Sequence, residues 1–147
     1  MVIRQATIND LNALVELFDL YRIFYRKSSD KSGARIFLSE RLENEDAIIF
    51  VAECDKGLIG FTQLYPSFSS TRMQRMWILN DLYVHKAFRG QGISKLLINK
   101  AKELCKETDA CGLLLETETS NDIGNNLYPT TGFHLEENNF YFWSADS

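Results

Sequence analysis

Apolar side chains recur along the chain at two distinct periods. Leu11, Leu14, Val15, Phe18, Tyr21 and Tyr25 are spaced by three and four, which is one buried face of an amphipathic helix. Phe24 falls off that stripe. Before the helix, Val2 to Thr7 reads as a first strand, and Thr7 and Asp10 stand at capping-box spacing with Asp in place of the usual Glu. Ser28 to Gly33 is a polar break. A second helix is predicted over Ala34 to Glu43, with Phe37, Leu38 and Leu42 inward. The character then turns to strand. Ala47 to Glu53 and Leu58 to Tyr65 flank the turn signal Asp55-Lys56-Gly57 and predict a hairpin. Ser67 to Arg72 reads as a Ser-rich loop, and Arg75 to His85 as a long third strand. After a glycine-bearing loop, Phe88 to Gly92, the residues Ile93, Leu96, Leu97, Ala101, Leu104 and Cys105 mark a helix to about Glu107. A strand at Leu113 to Thr117, a short helix at Ile123 to Tyr128, and an antiparallel hairpin of Phe133 to Glu136 with Phe140 to Trp143 complete the pattern. The order β-α-α-β-β-β-α-β-α-β-β predicts an α/β sandwich around a mixed sheet.

Composition narrows the function. At 147 residues, the length fits a single domain, residues 1–147. A 45% hydrophobic share with 24% charged residues excludes general disorder. The formal net charge of −4 argues against a nucleic-acid binder, which needs a basic field. There is no apolar run long enough for a membrane span and no signal-peptide pattern at the N-terminus. Cys54, Cys105 and Cys111 lack paired spacing and read as free thiols of a cytoplasmic protein. His85 and His134 have no ligand spacing, so no metal site is expected. Aromatic residues make up 12%, enough for a core with some left to line a pocket.

The most informative segment runs from Asp81 to Ser94. A strand enters the loop Arg89-Gly90-Gln91-Gly92, and the loop runs straight into a helix. Glycines two apart let backbone amides approach a ligand. The helix N-terminus adds unpaired N–H groups and partial positive charge, and Arg89 adds a full charge. Such a loop suits a pyrophosphate. It is not a Walker A loop, because Ile93-Ser94 follows Gly92, and it is not a Rossmann fingerprint, because Lys95 stands where a small residue is needed.

The segment resembles motif A of the GCN5-related N-acetyltransferase (GNAT) superfamily, Gln/Arg-x-x-Gly-x-Gly/Ala. Arg89 and Gly92 match, and Ser94 replaces the last small residue. Downstream, Asn121, Gly124, Leu127-Tyr128 and Gly132-Phe133 resemble the superfamily's motif B, with Gly124 where Ala is common. That exchange leaves room for the cofactor. Finer similarity, in Asn80-Asp81-Leu82-Tyr83-Val84 and the aromatic first helix, is to the histone/polyamine N-acetyltransferase branch. The resemblance implies a mixed, mostly antiparallel sheet of about seven strands flanked by about four helices, with a splay after the long central strand.

The resemblance also implies acetyl-CoA as co-substrate and a small-molecule or peptide amine as acceptor. It assigns the pyrophosphate to Arg89, Gly90, Gln91, Gly92, Ile93 and Ser94, and pantetheine contacts to Leu82, Tyr83 and Val84, with Asn121 also at the cofactor. A bulge near Asp81 fits the splay. A backbone N–H near Val84 would stabilise the oxyanion. Tyr128 occupies the general-acid position. The amine must also be neutral, so the enzyme must remove a proton or select the rare free base. Glu53, Asp81, Glu116 and Glu118 are the candidates, the last two on one face if Leu113 to Thr117 is a strand. Diamine acetyltransferases carry Glu at the position of Asn80, so this chain departs there and leaves Asp81 or Glu118, acting directly or through water. Phe24 and Tyr25 are candidate acceptor contacts. Phe140 to Trp143 is aromatic enough to form a homodimer contact. The alternative reading is a non-catalytic acyl-CoA-binding regulatory module.

Overall fold

A computed structural model describes residues 1–146, which divide into a unit of residues 1–116 and a unit that begins at residue 117. In the first unit, strand β1 (Val2–Gln5) leads through a 3-10 turn (Ile8–Asp10) into helix α1 (Leu11–Phe24). The Asp10 carboxylate accepts from the Thr7 backbone N–H at 2.8 Å, the half of a capping box that the sequence predicts. Helix α2 (Lys31–Asn44) starts earlier than its apolar positions indicate, because Asp30 caps it by accepting from the Gly33 N–H at 2.9 Å. Strands β2 (Ile48–Cys54), β3 (Gly57–Ser69) and β4 (Gln74–Val84) follow. A 3-10 turn (Lys86–Phe88) leads to helix α3 (Ile93–Glu107) and the two-residue strand β5 (Leu113–Leu114).

The sheet has five strands in the order β1-β2-β3-β4-β5. All neighbours are antiparallel except β4 and β5, which are parallel. The predicted Ser-rich loop is shorter than expected, because β3 and β4 stay paired out to Ser69↔Gln74. Pro66, just past the predicted end of the strand at Tyr65, lies within β3 opposite Trp77. The Trp77 N–H donates to Gly112 C=O at 3.1 Å, so Trp77 directs its backbone groups toward β5. Pro66 therefore sits at a non-hydrogen-bonded pair, where its missing N–H is not needed.

Alternate residues of the strands feed two cores. Ile49, Val51, Phe61 and Tyr83 pack with Leu14, Phe18 and Leu38 of α1 and α2. On the other face of the sheet, the Lys100 ammonium of α3 lies 5.9 Å from the Phe50 ring centroid. Gly60 is adjacent to Leu97 of α3, whose Cδ1 lies 3.5 Å from the site of an added Cβ. Fully buried Leu97, Ile98 and Ala101 complete that side.

The second unit contains helix α4 (Asp122–Thr130) and no strand among its described residues. Two predictions fail here. The expected strand Leu113 to Thr117 ends at Leu114, so Glu116 and Glu118 lie outside it and the argument placing them on one face lapses. The expected hairpin of Phe133 to Glu136 and Phe140 to Trp143 is absent, leaving a sheet of five strands rather than about seven. A run of four aromatics signals a strand covered on both faces. Adjacent Tyr141 and Phe142 are each 93% exposed, so neither face is covered.

Asp19 ties the α1–α2 connection together. It is buried, and its carboxylate accepts from the Ser29 hydroxyl at 2.7 Å and the Asp30 N–H at 2.8 Å. Burial pushes its pKa up, but these two hydrogen bonds and the Lys31 and Arg22 charges outweigh it, and the net shift is downward. The folded chain thus favours the ionised form. That contribution is complete above the ordinary carboxylate range and lost as pH falls below about 4. Asp19→Ala should lower the unfolding free energy in urea by about 1–2 kcal/mol at pH 7, and the deficit should shrink on acidification. Equal stability of the two proteins at pH 7 would show that the carboxylate does not hold this connection.

Candidate active site

Strand β4 outruns its neighbour. It pairs with β5 only at Trp77↔Leu113 and Ile78↔Leu114, so from Leu79 to Val84 no strand of the described sheet lies on that side. The register against β3 also slips, from Leu64↔Leu79 to Gln63↔Asp81, which leaves Asn80 as an extra residue. This is the bulge expected near Asp81. Leu79 and Asp81 would share a face in a regular strand. Here their partners are adjacent residues of β3, which point to opposite faces. Asp81 is thereby turned onto the face carrying Phe61 and Tyr83.

The bulge also decides which backbone groups meet the open edge. The His85 N–H donates to Ile59 C=O at 2.8 Å. Hydrogen-bonded and non-hydrogen-bonded pairs alternate in an antiparallel ladder. Thr62↔Leu82 and Gly60↔Val84 are therefore non-hydrogen-bonded pairs, and Leu82 and Val84 direct their N–H and C=O outward. Tyr83, between them, uses its backbone toward Phe61. The Val84 carbonyl accepts from Arg89 Nε at 3.0 Å.

The chain then enters the glycine loop. Gly90 and Gly92 take φ of 79° and 77°, a left-handed conformation that other residues adopt only with strain. Gly92 is the N-cap of α3, and no side chain caps the helix. Ile93 and Ser94 follow in the first turn, whose amides have no intrahelical acceptor. The expected juxtaposition of Arg89, Gly90, Gln91, Gly92, Ile93 and Ser94 is formed. The Arg89 guanidinium, however, folds back over the rings of Phe24 and Tyr83, with centroids 5.7 and 5.4 Å from Cζ.

Asp81 is a buried carboxyl. Gln63 Nε2 donates to it at 2.7 Å, Asn80 Nδ2 donates at 3.2 Å, and Tyr21 adds a side-chain hydrogen bond. Burial pushes its pKa up, and the hydrogen bonds only partly oppose the shift. Tyr65 is pushed up to about 12 by burial and by the Asp81 charge, so it remains a neutral phenol. Gln63 is fully buried, and its Oε1 has no hydrogen-bond partner. Gln63 is not among the residues that the sequence singles out; its signal is an amide within the mostly apolar run Phe61 to Tyr65. Glu53, the other strand carboxylate, is committed to Arg4 at 3.2 Å.

Around Asp81 lies an aromatic array. Tyr21 meets Phe61 and Tyr83 edge-on, and Tyr25 lies between Tyr21 and Phe24, 5.1 Å from each centroid. Phe24 closes α1 and is 44% exposed, as its position off the apolar stripe predicts.

In the second unit, Asn121 caps α4, accepting from the Gly124 N–H at 3.2 Å and donating to Thr117 Oγ1 at 3.0 Å. Gly124 does not leave open room. A Cβ there would lie 2.7 Å from Asn121 Nδ2 and 3.2 Å from a Tyr128 ring carbon. The Tyr128 ring packs edge-on against Phe133 at 5.8 Å. Glu118 is exposed in the loop before α4, and its carbonyl accepts from Asn125 Nδ2 at 3.0 Å. Among the described residues no group of His, Cys, Asp and Glu could hold a metal, and no helix is long and apolar enough to cross a membrane.

Residues 14–133 match the acetyltransferase (GNAT) family. An uncharacterized N-acetyltransferase of Bacillus subtilis, YhfO, is 45% identical over 133 residues, spanning 90% of this chain and 89% of that protein. A probable acetyltransferase of Haemophilus influenzae is 31% identical over 108 residues, spanning 73% of this chain and 74% of that protein. The crystal structure of a probable acetyltransferase superimposes with a TM-score of 0.93 at 37% identity over the whole of both chains.

The raised pKa of Asp81 has a consequence for stability. The folded chain binds its proton more tightly than the unfolded chain, so stability should fall as pH rises from about 4 through the raised value. In Asp81→Asn, the amide oxygen can still accept from Gln63 Nε2 without carrying a charge. The variant should lose this pH slope and melt at least as high as wild type at pH 8. A wild-type slope retained in the variant would contradict the assignment.

Proposed function

Because the chain belongs to the acetyltransferase (GNAT) family and is an N-acetyltransferase, we propose that it moves an acetyl group from acetyl-coenzyme A to a primary amine by direct attack in a ternary complex. Its acceptor is a polyamine, another small amine or a Lys side chain. The observation that carries this reading is the open edge of β4 followed by the glycine loop. The outward groups of Leu82 and Val84 stand on the strand that leads, through one 3-10 turn, into the amides of residues 90–94.

In this reading, Leu82 and Val84 hydrogen-bond the pantetheine as a strand would. The loop amides and Arg89 receive the pyrophosphate, with opposite charge and helix dipole acting together. Asp81 takes the proton from the acceptor ammonium, directly or through one water. Its burial makes it a stronger base than an ordinary carboxylate. Glu118 is the second candidate. As the amine nitrogen bonds to the thioester carbon, the Val84 N–H stabilises the oxygen that gains charge. When the carbon–sulfur bond breaks, Tyr128 gives its phenolic proton to the thiolate. It is reprotonated by the proton that the attacking nitrogen sheds.

A thiol-release assay with acetyl-coenzyme A and a panel of primary amines tests the proposal. Tyr128→Phe should lower kcat about 100-fold while leaving the coenzyme A Kd unchanged. Gly92→Ala, strained at a left-handed φ, should weaken coenzyme A about tenfold. Coenzyme binding without thiol release from any amine would point instead to an acyl-CoA-binding regulatory module.

A further inference from the structure

Arg89 is written into the coenzyme loop by sequence, yet its guanidinium does not extend along the loop. It lies over two rings, 5.7 Å from the Phe24 centroid and 5.4 Å from that of Tyr83, while its Nε donates to the Val84 carbonyl at 3.0 Å. A guanidinium within about 6 Å of two ring centroids is held by their quadrupoles. The carboxyl of Asp81 precedes Tyr83 by two positions on the same strand face, as their partners Gln63 and Phe61 show. The surface under Arg89 is thus suited to a cation.

The same arginine has two claims on it. The pyrophosphate proposed for residues 89–94 attracts its charge, while the two rings and the Val84 carbonyl hold it back. The pyrophosphate of coenzyme A therefore draws Arg89 off the rings. We propose that Phe24 and Tyr83 form a subsite for a cationic, non-reacting group of the acceptor, and that Arg89 fills it until coenzyme A binds. The acceptor class is then an amine carrying a second positive charge, such as a diamine or an alkylguanidinium. The proposal rests on the coenzyme reading above.

Placing a non-reacting cation here is chemically sensible. Ring faces stabilise the charged form, which a nucleophilic amine must lose but a remote charge keeps. Binding energy from that remote group helps orient the reacting nitrogen. Coenzyme A and a cationic acceptor should consequently favour each other's binding, since the first ligand removes the arginine that competes with the second.

Methylguanidinium serves as the probe, titrated while the ring resonances of Phe24 and Tyr83 are followed by NMR. Wild type should bind it about fivefold more tightly with saturating coenzyme A than without. Arg89→Ala should show the tighter affinity with no coenzyme present. Phe24→Leu, at an exposed position, should bind weakly in both conditions. Equal wild-type affinity with and without coenzyme A, or no gain in Arg89→Ala, would overturn the proposal. Coenzyme A binding is measured separately by calorimetry. Its absence would sink the coenzyme reading, while the Arg89→Ala titration would still decide the cation subsite.

Discussion

The extra residue at Asn80 sets the phase of everything after it in β4. Before the bulge, Trp77 turns its N–H toward β5, where Gly112 accepts it. Without an insertion that phase would carry on through Leu79, Asp81 and Tyr83. With it, Leu82 and Val84 face the open edge, and Asp81 and Tyr83 turn their side chains to the α1 side. One inserted residue therefore sets the directions of backbone donors, a carboxyl and an aromatic ring together. The shortness of β5 then leaves the edge from Leu79 to Val84 without a strand partner.

The α1 face carries a stability cost that the α3 face does not. Its carboxyl is buried with a raised pKa, and Gln63 Oε1 lacks a partner. Protein interiors seldom keep unpaired polar atoms unless the site uses them. Asp19, also buried, is different. Its hydrogen bonds outweigh burial, and its role is to join two helices. Two buried aspartates on one side of the sheet thus shift in opposite directions, Asp19 downward where hydrogen bonds prevail and Asp81 upward where burial prevails.

Much of this was legible from residue spacing. Helix α3 occupies Ile93–Glu107, as its apolar stripe indicates, and the Arg89–Ser94 loop enters it where the glycines place it. The bulge near Asp81 was an expectation of the family resemblance, not of periodicity. Capping and register were harder to read. Asp30 extends α2 through one hydrogen bond, and Pro66 is tolerated in β3 because the residue opposite it bonds elsewhere. Neither effect shows in the local pattern. The aromatic run Phe140 to Trp143 misled because strand propensity requires a partner to be realised, and its side chains remain exposed. Gln63 and the folded-back Arg89 depend on contacts distant in sequence, which one chain's pattern does not display.

The central claim is that β4 offers its outward backbone groups to coenzyme A as if to a missing strand. Amide hydrogen exchange, resolved by residue, tests it most directly. On addition of coenzyme A, the amides of Leu82, Val84 and residues 90–94 should slow markedly. Tyr83, already turned toward β3, should change little. Uniform slowing across β4, or no slowing at Leu82 and Val84, would contradict the account.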